Sequence, residues 1–85
     1  MKFRLVYTHK AIKDIDKLDP ATKHRLYKAM VRYEEDPLPY AEKLTDPRLG
    51  TYRFRIGSYR VIFDLEGSDL VVLRVGHRKE IYRRK

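Results

Sequence analysis

Residues 52–63 read YRFRIGSYRVIF, and this stretch decides the fold. Aromatic and β-branched residues dominate it, and Gly57-Ser58 divides it in two, which is typical of a β-hairpin with a two-residue turn. Such a turn places Arg55 directly opposite Arg60. Because side chains alternate between the two faces of a strand, the apolar residues face one side and the arginines face the other.

A third strand follows, so the second half of the chain is predicted to form an antiparallel meander. Its strands are 51–56, 59–65 and 70–75. A three-residue turn at 67–69 pairs Arg74 with Ile62 on the outer face, whereas a four-residue turn would bury an unpaired guanidinium. We therefore favour the first register. It stacks Val61, Phe63, Val71, Leu73 and Val75 on the helices and leaves Arg53, Arg55, Arg60, Asp64 and Arg74 on the open face, where Arg74 and Asp64 are candidates to pair.

The first half of the chain reads as a strand and two helices. Residues 3–7 favour a strand, and Thr8 is a suitable N-cap for the helix after it. Asp19-Pro20 ends that helix and starts a second one, which stops at Asp36-Pro37. The apolar stripes are Ala11, Ile12, Ile15 and Leu18 on the first helix and Leu26, Ala29, Met30 and Tyr33 on the second.

Residues 38–50 read as a connecting loop, with an extended segment near Lys43-Leu44 as one option. The sequence therefore predicts an α+β fold, in which an N-terminal strand and a two-helix hairpin pack on a small antiparallel sheet of about four strands. We expect residues 1–85 to form a single domain.

The length and composition of the chain exclude several classes of protein. The chain has 85 residues, with 20 lysines and arginines against 12 acidic residues and no cysteine. This length excludes a large multidomain enzyme, and the absence of cysteine excludes a disulfide framework or a thiolate zinc site. No segment resembles a signal peptide or a membrane span, so we expect a cytoplasmic protein without a membrane partner.

The positive charge is concentrated in the second half, where residues 48–85 carry 10 basic and 4 acidic side chains. Arg78 keeps the strand parity of Arg74, and Tyr82 follows within reach, so four arginines and a tyrosine are predicted to converge. Like charges placed opposite each other are unfavourable, and a bound phosphate would compensate for them. The predicted ligand is therefore a polyanion.

Cleavage of RNA by its own 2′-hydroxyl needs a proton acceptor, stabilisation of the pentavalent phosphate and a proton donor. Arginine binds phosphate well but cannot act as a base near neutral pH. Tyr82 and His77 are therefore the candidates for proton transfer, whereas His9 and His24 are expected to be ordinary surface residues. Acidic residues 64, 66 and 69 are strung along a hairpin, so no metal site or other cofactor is expected.

Three segments, Tyr52–Gly57, Ser58–Phe63 and Val75–Tyr82, resemble the RelE/ParE toxin superfamily over essentially the whole chain. The last of them, VGHRKEIY, is the most specific. RelE-type members cut mRNA in the ribosomal A site, and ParE-type members inhibit DNA gyrase. Fold alone does not separate these two branches.

The RelE resemblance implies a role for each matching position. It implies that Arg60 and Arg78 hold and stabilise the scissile phosphate, that Tyr82 orients or stacks the substrate, and that His77 is an additional acid or base. Substrate binding would involve Arg53, Arg55, Arg74 and Lys79. Positions 53 and 55 are often lysine in RelE-type enzymes, and arginine cannot take a proton from a hydroxyl.

The resemblance also implies partners, namely a cognate antitoxin, mRNA and ribosomal RNA, with DNA contacted only through an antitoxin complex. The leading hypothesis is a metal-independent, ribosome-dependent endoribonuclease of a type II toxin-antitoxin system. A ParE-like gyrase inhibitor without nuclease activity is the alternative. A third possibility is an inactive relative that binds nucleic acid through charge alone.

Overall fold

The computed structural model describes residues 2–83. Two helices and five strands follow one another in an α+β arrangement. The strands are β1 (Arg4–Tyr7), β2 (Glu42–Lys43), β3 (Tyr52–Ile56), β4 (Tyr59–Glu66) and β5 (Asp69–His77). The helices are α1 (His9–Asp16) and α2 (Pro20–Glu35), with short 3₁₀ turns at Leu38–Tyr40 and Ile81–Arg83.

The five strands form one sheet in the order β1-β5-β4-β3-β2. The predicted meander of β3, β4 and β5 is confirmed as antiparallel, whereas β1 pairs with β5 in parallel. The sheet is therefore mixed and has one strand more than predicted. The extra strand is the two-residue β2, which pairs Glu42 with Arg53 and Lys43 with Tyr52.

Both helices begin where their capping residues predict. The Thr8 hydroxyl accepts from the Ala11 N–H at 3.1 Å, and the Asp19 carboxylate accepts from the Thr22 N–H at 3.3 Å. These side chains satisfy amide groups that the first helical turn leaves without a partner. Pro20 takes the first helical position of α2, where its missing N–H costs nothing.

One hydrophobic core lies between the helices and one face of the sheet. All four predicted stripe residues of α2 are buried, whereas Ile12 of α1 is 47% exposed, contrary to its predicted place in the stripe. The rings of Phe54 and Phe63 stack at the centre with centroids 4.1 Å apart. The other buried members are Ala11, Ile15, Leu26, Ala29, Met30, Tyr33, Ile56, Val61, Leu70, Val72 and Val75.

The β4–β5 hairpin corrects part of the predicted register. Its turn has two residues, since Glu66 pairs with Asp69, and Gly67 adopts the positive φ (+61°) that such a turn favours. Leu70 and Val72 therefore face the core, and the prediction that Val71 and Leu73 do so was wrong. A bulge between Ile62/Phe63 and their β5 partners then shifts the register by one residue.

The bulge explains why the predicted pairing of Arg74 with Ile62 is still observed. Leu73 is the extra residue on β5, since Val72 pairs with Phe63 and Arg74 with Ile62. The turn is one residue shorter than predicted, and the extra residue in the bulge compensates for this. Beyond the bulge the register is the predicted one, and Val75 faces the core. The far half of β5 therefore presents its side chains as a three-residue turn would have placed them.

The second face of the sheet is only partly open. The segment 44–50 folds over it, so that Ile62 is fully buried on the side opposite the helices. A β-carbon at Gly50 would lie 2.6 Å from Cγ2 of Ile62, so only glycine fits there. The Thr51 N–H donates to the Asp64 carboxylate at 2.8 Å and fixes the end of this segment.

Across residues 2–83, neither helix has the length and apolar character to cross a bilayer.

Candidate functional site

The hairpin of β3 and β4 carries the candidate site on its second face. Arg53 and Arg55 of β3 and Arg60 of β4 point to this face, and Arg55 is paired with Arg60 as predicted. Arg78 follows β5, and its backbone N–H donates to the Ser58 carbonyl at 2.8 Å, which places it beside the β3–β4 turn. We refer to Arg53, Arg55, Arg60 and Arg78 as the arginine cluster.

Arg60 is the centre of the arginine cluster and is only 6% exposed. Its Nη1 donates to the carbonyls of Gly57 at 3.1 Å and Tyr59 at 3.0 Å. No buried side-chain nitrogen within residues 2–83 lacks a partner, so the remaining N–H groups of Arg60 reach solvent. A guanidinium is thus fixed by two carbonyls while its other donors remain accessible at the surface.

The charges around Arg60 are mainly positive. Burial lowers the pKa of Arg60, and the positive charges of Arg55, Arg53 and Arg78 lower it further, while Tyr82 acts in the opposite direction. The protein therefore holds a cation where its charge is disfavoured both by burial and by like charges. A bound anion would remove this unfavourable energy, which is the property expected of a phosphate site.

One carboxylate, Glu42 of β2, lies within the arginine cluster. It accepts from Arg53 Nε at 2.8 Å and from Arg55 Nη1 at 3.4 Å. The Arg53 hydrogen bond is the main reason that the pKa of Glu42 is below its usual range, with a further contribution from Arg55. Sequence reasoning missed Glu42, because a two-residue strand has no alternation to reveal it. Within residues 2–83, Arg60 and Arg78 form no ion pair.

Tyr82 joins the arginine cluster as predicted. Arg53 Nη1 donates to its hydroxyl oxygen at 2.8 Å, and the Arg53 guanidinium lies 5.6 Å from the ring centroid. The ring is partly buried rather than freely exposed. Because the phenol oxygen already accepts from Arg53, its own O–H can donate to a third group.

A cavity of about 350 Å³ opens beside Tyr82 and Arg53. Residues 43–46 and Leu49 form its other walls, so the segment that folds over the sheet also shapes this cavity. Lys43 adds a further cation there that the sequence analysis did not identify. The arrangement offers a partly enclosed space next to a phenol and several donors.

His77 is not brought into the arginine cluster. It pairs with Tyr59 on the face that carries Val61 and Val75, and its ring packs edge-on against Tyr59 with centroids 5.5 Å apart. Its Nδ1 accepts from the Lys79 N–H at 3.1 Å. His77 was predicted as a candidate for proton transfer alongside Tyr82, but strand alternation turns residue 77 towards the helix side of the sheet, away from the arginine cluster.

Arg74 is also separate from the cluster. Its Nε and Nη2 donate to the two carboxylate oxygens of Asp14 on α1, at 2.8 and 3.0 Å. The suggested partner Asp64 was wrong, because that carboxylate accepts from the Thr51 N–H instead. Burial alone would raise the pKa of Asp14, but hydrogen bonds from Arg74 and the Val75 N–H outweigh it and lower the pKa. This pair fastens α1 to β5.

The last predicted residue, Lys79, is exposed and directly follows Arg78 in the chain. Among the residues that the structure describes, no three histidine, aspartate or glutamate side chains are grouped as a metal site. The site is therefore built from Arg53, Arg55, Arg60, Arg78 and Tyr82, with Glu42 and Lys43 beside them.

Comparison with known proteins identifies the family. The model of the family described as "ParE toxin of type II toxin-antitoxin system, parDE" matches residues 5–82. The chain belongs to this family of toxins. It is therefore a toxin of the RelE/ParE superfamily, as the segments around residues 52–63 and 75–82 indicated.

Individual RelE-type relatives support this assignment. The chain is 34% identical to Toxin RelG of Mycobacterium tuberculosis, over 99% of this chain and 100% of that protein. The toxin-antitoxin complex RelBE2 from the same organism contains a chain with a TM-score of 0.81 and 27% identity, covering 92% of this toxin and 100% of that chain. The RelE-RelB complex of Pyrococcus horikoshii OT3 gives a TM-score of 0.74 at 25% identity, with 94% and 99% coverage.

Proposed function

We propose that this toxin is a ribosome-dependent endoribonuclease that cuts mRNA in the ribosomal A site without a metal ion. The observation that carries the proposal is Arg60, a residue only 6% exposed whose guanidinium is held by two carbonyls and lies in the positive field of Arg53, Arg55 and Arg78. The proposed site acts on the phosphodiester of a bound strand in the cytoplasm, where ribosomes translate.

Charge stabilisation is the main contribution of this site. In RNA cleavage, the 2′-hydroxyl passes its proton to solvent water, its oxygen attacks phosphorus, and the bond to the 5′-oxygen breaks as that oxygen takes up a proton, so negative charge grows on the phosphoryl oxygens. Arg60 is already oriented, and Arg78 is exposed and unpaired with any carboxylate within residues 2–83. Arginine forks of this kind donate two hydrogen bonds to one phosphate.

Tyr82 is proposed to donate a hydrogen bond or proton to the substrate. Its oxygen accepts from Arg53, which leaves the O–H free to donate to a substrate in the cavity that Tyr82 lines. A base unstacked from the mRNA can lie on the exposed part of the ring. Lys79 and Lys43 extend the positive field at the rim. His77 lies on the other face and has no part in the proposed chemistry.

An antitoxin is the proposed protein partner. The RelBE2 and RelE-RelB structures are complexes of similar toxins with their antitoxins. On this chain, large apolar side chains are exposed along the helices and the turn after them, which suits a covering peptide. They are Ile12, Tyr27, Val31, Leu38 and Tyr40.

The test adds purified toxin to translating ribosomes, to naked mRNA and to a DNA gyrase supercoiling reaction. We expect codon-positioned cuts only in the ribosome reaction. Arg78→Ala should lower the cleavage rate by about 10²–10³-fold, as for removal of an oxyanion donor. Its melting temperature should be unchanged, because the side chain is exposed. His77→Gln serves as the control and should cut at a rate close to that of wild type.

A gyrase inhibitor is the second candidate, because the matching family model is that of the ParE toxins. In that case the same arginines would recognise a protein and no bond would be broken. Inhibition of supercoiling with intact mRNA would reject the ribonuclease proposal. Cleavage by Arg78→Ala at the wild-type rate would reject the site while leaving the activity in place.

A further inference from the structure

A second cationic surface lies on α2, away from the arginine cluster. Arg25, Lys28 and Arg32 are exposed, and at about 100° per residue their positions fall within an arc of about 60° on the helix. We refer to these three residues as the basic track. None of them forms an ion pair within residues 2–83, although six other arginines and lysines do.

The basic track borders a cavity of about 430 Å³ that has no acidic residue in its lining. Arg55 lines the same cavity, so one member of the arginine cluster borders the depression beside the basic track. The Arg32 guanidinium lies 5.6 Å from the centroid of the Tyr33 ring, which is within the range of a cation–π contact. Four cations thus line one depression, and only Arg55 among them has a carboxylate partner, Glu42, within residues 2–83.

The depression continues around an open edge of the sheet. The short strand β2 pairs with residues 52 and 53 only, so no described strand pairs with the outer edge of β3 from Phe54 onward. Arg25 lies against the β3–β4 turn, since a β-carbon at Gly57 would be 3.0 Å from its Nη1. Arg60 contacts the carbonyl of the same glycine. The β3–β4 turn therefore lies next to both Arg25 and Arg60.

These observations favour an RNA backbone over an acidic peptide. A peptide of an antitoxin needs apolar contacts as well as charge, but the apolar residues in this cavity, Ala29, Tyr33 and Ile56, are each more than 90% buried. The exposed apolar residues Val31 and Tyr27 lie about 90° and about 130°, respectively, from the centre of the basic track around the helix. A surface of regularly spaced, unpaired cations alone suits a chain of phosphates.

We propose that the basic track is a second RNA-binding surface, which holds a phosphodiester backbone outside the cleavage site and continues into it through Arg55. This inference rests on the proposed function, in which RNA is the substrate. It assigns α2 the role of holding RNA near the site, while the arginine cluster acts on the bond that is cut.

The test measures the affinity of the full chain for a fluorescent 2′-O-methyl RNA, which cannot be cut, at increasing salt concentrations. Each lost phosphate contact reduces the slope of log K against log salt by about 0.7 for single-stranded RNA. The triple variant Arg25→Gln/Lys28→Gln/Arg32→Gln should therefore lose about 2 from the slope. Its circular dichroism and melting temperature should match wild type, since all three side chains are exposed.

The matched control is Lys10→Gln/Lys13→Gln/Lys17→Gln, which removes three exposed charges from α1. It should keep the wild-type slope. An equal loss in both variants would mean that net charge alone binds RNA, and an unchanged slope in the α2 variant would also overturn the proposal. Loss of polyglutamate binding with an unchanged RNA slope would assign the surface to an acidic protein. Because the RNA is uncleavable, the result stands whether or not mRNA is cut on ribosomes.

Discussion

Arg55 and Arg60 occupy directly opposite positions in the β3–β4 ladder, so two guanidinium groups share one cross-strand pair. Like charges at such a position destabilise a sheet by about 0.2–1 kcal/mol. The hairpin tolerates this because Arg60 is bound to two carbonyls and Arg55 reaches Glu42. A site that holds unfavourable charge in the free protein gains binding energy when an anion arrives.

Arg55→Thr should therefore stabilise the toxin. We expect the free energy of unfolding to rise by about 0.5 kcal/mol at low salt, because the repulsion is removed and threonine favours a strand. The gain should shrink at higher salt, because salt screens the Arg55–Arg60 repulsion that destabilises wild type. Urea unfolding at several salt concentrations measures it. Arg48→Thr, which removes an exposed arginine bound to Asp46, is the control and should show no gain. A gain that is independent of salt would contradict this explanation.

Glu42→Gln should strengthen RNA binding. The carboxylate partly neutralises Arg53 and Arg55, and the neutral amide would leave both charges available to phosphate. We expect the affinity for uncleavable RNA to rise about two- to fivefold at low salt, with a steeper salt dependence. Fluorescence anisotropy measures both quantities. Glu66→Gln, at the far end of β4, is the control; the same increase there would show that only net charge matters.

Asp14→Asn should destabilise the fold and make the free energy of unfolding less dependent on pH in the acid range. The Asp14–Arg74 pair is bidentate, and the two side chains are 12% and 22% exposed, so we expect a loss of about 2–4 kcal/mol. The pKa of Asp14 is lower in the folded protein than in the unfolded chain. The pair therefore stabilises fully above about pH 4, and this stabilisation is lost as the pH falls through the folded pKa.

Unfolding in urea between about pH 2 and pH 7 tests this linkage. The wild-type free energy of unfolding should decrease on acidification by more than that of Asp14→Asn. The variant should retain part of the slope, because hydrogen bonds from Thr22 and Arg48 also lower the pKa values of Asp19 and Asp46, respectively. Asp16→Asn, exposed on the same helix, is the control. Parallel curves for wild type and Asp14→Asn would refute the assignment.

Gly50→Ala should destabilise the toxin by about 2–3 kcal/mol, because the added methyl group meets Ile62 at 2.6 Å in a backbone conformation of positive φ. Gly67→Ala separates the two causes. Gly67 also has a positive φ, but a β-carbon there meets no atom within 4 Å, so its cost should be about 1 kcal/mol. Thermal unfolding compares them, and equal losses would show that the segment 44–50 moves freely away from the sheet.

The features that local chemistry controls were predictable from the sequence. The two-residue turn at Gly57-Ser58 and the alternation beside it set the Arg55–Arg60 pairing, which is confirmed. The helix starts at Thr8 and Asp19 depend only on nearby amides and are also confirmed. Both rest on interactions between residues close in the chain.

The remaining errors arise from contacts between distant segments. The bulge at Leu73 reconciles a tight turn with the packing of Val75, and alternation alone does not reveal it. Glu42 meets Arg53 through a strand too short to show a pattern. The position of His77 follows from its pairing with Tyr59 in the register of β4 and β5, which its choice as a candidate for proton transfer did not take into account.

The backbone of the β3–β4 turn is itself part of how Arg60 is oriented. The guanidinium is fixed by the carbonyl oxygens of Gly57 and Tyr59, so its direction follows the peptide planes of that turn. A substitution that rotates either plane would re-aim the cation while leaving every charged side chain intact. Tuning of this toxin during evolution is therefore open to changes at neutral residues, which a comparison of charged positions alone would overlook.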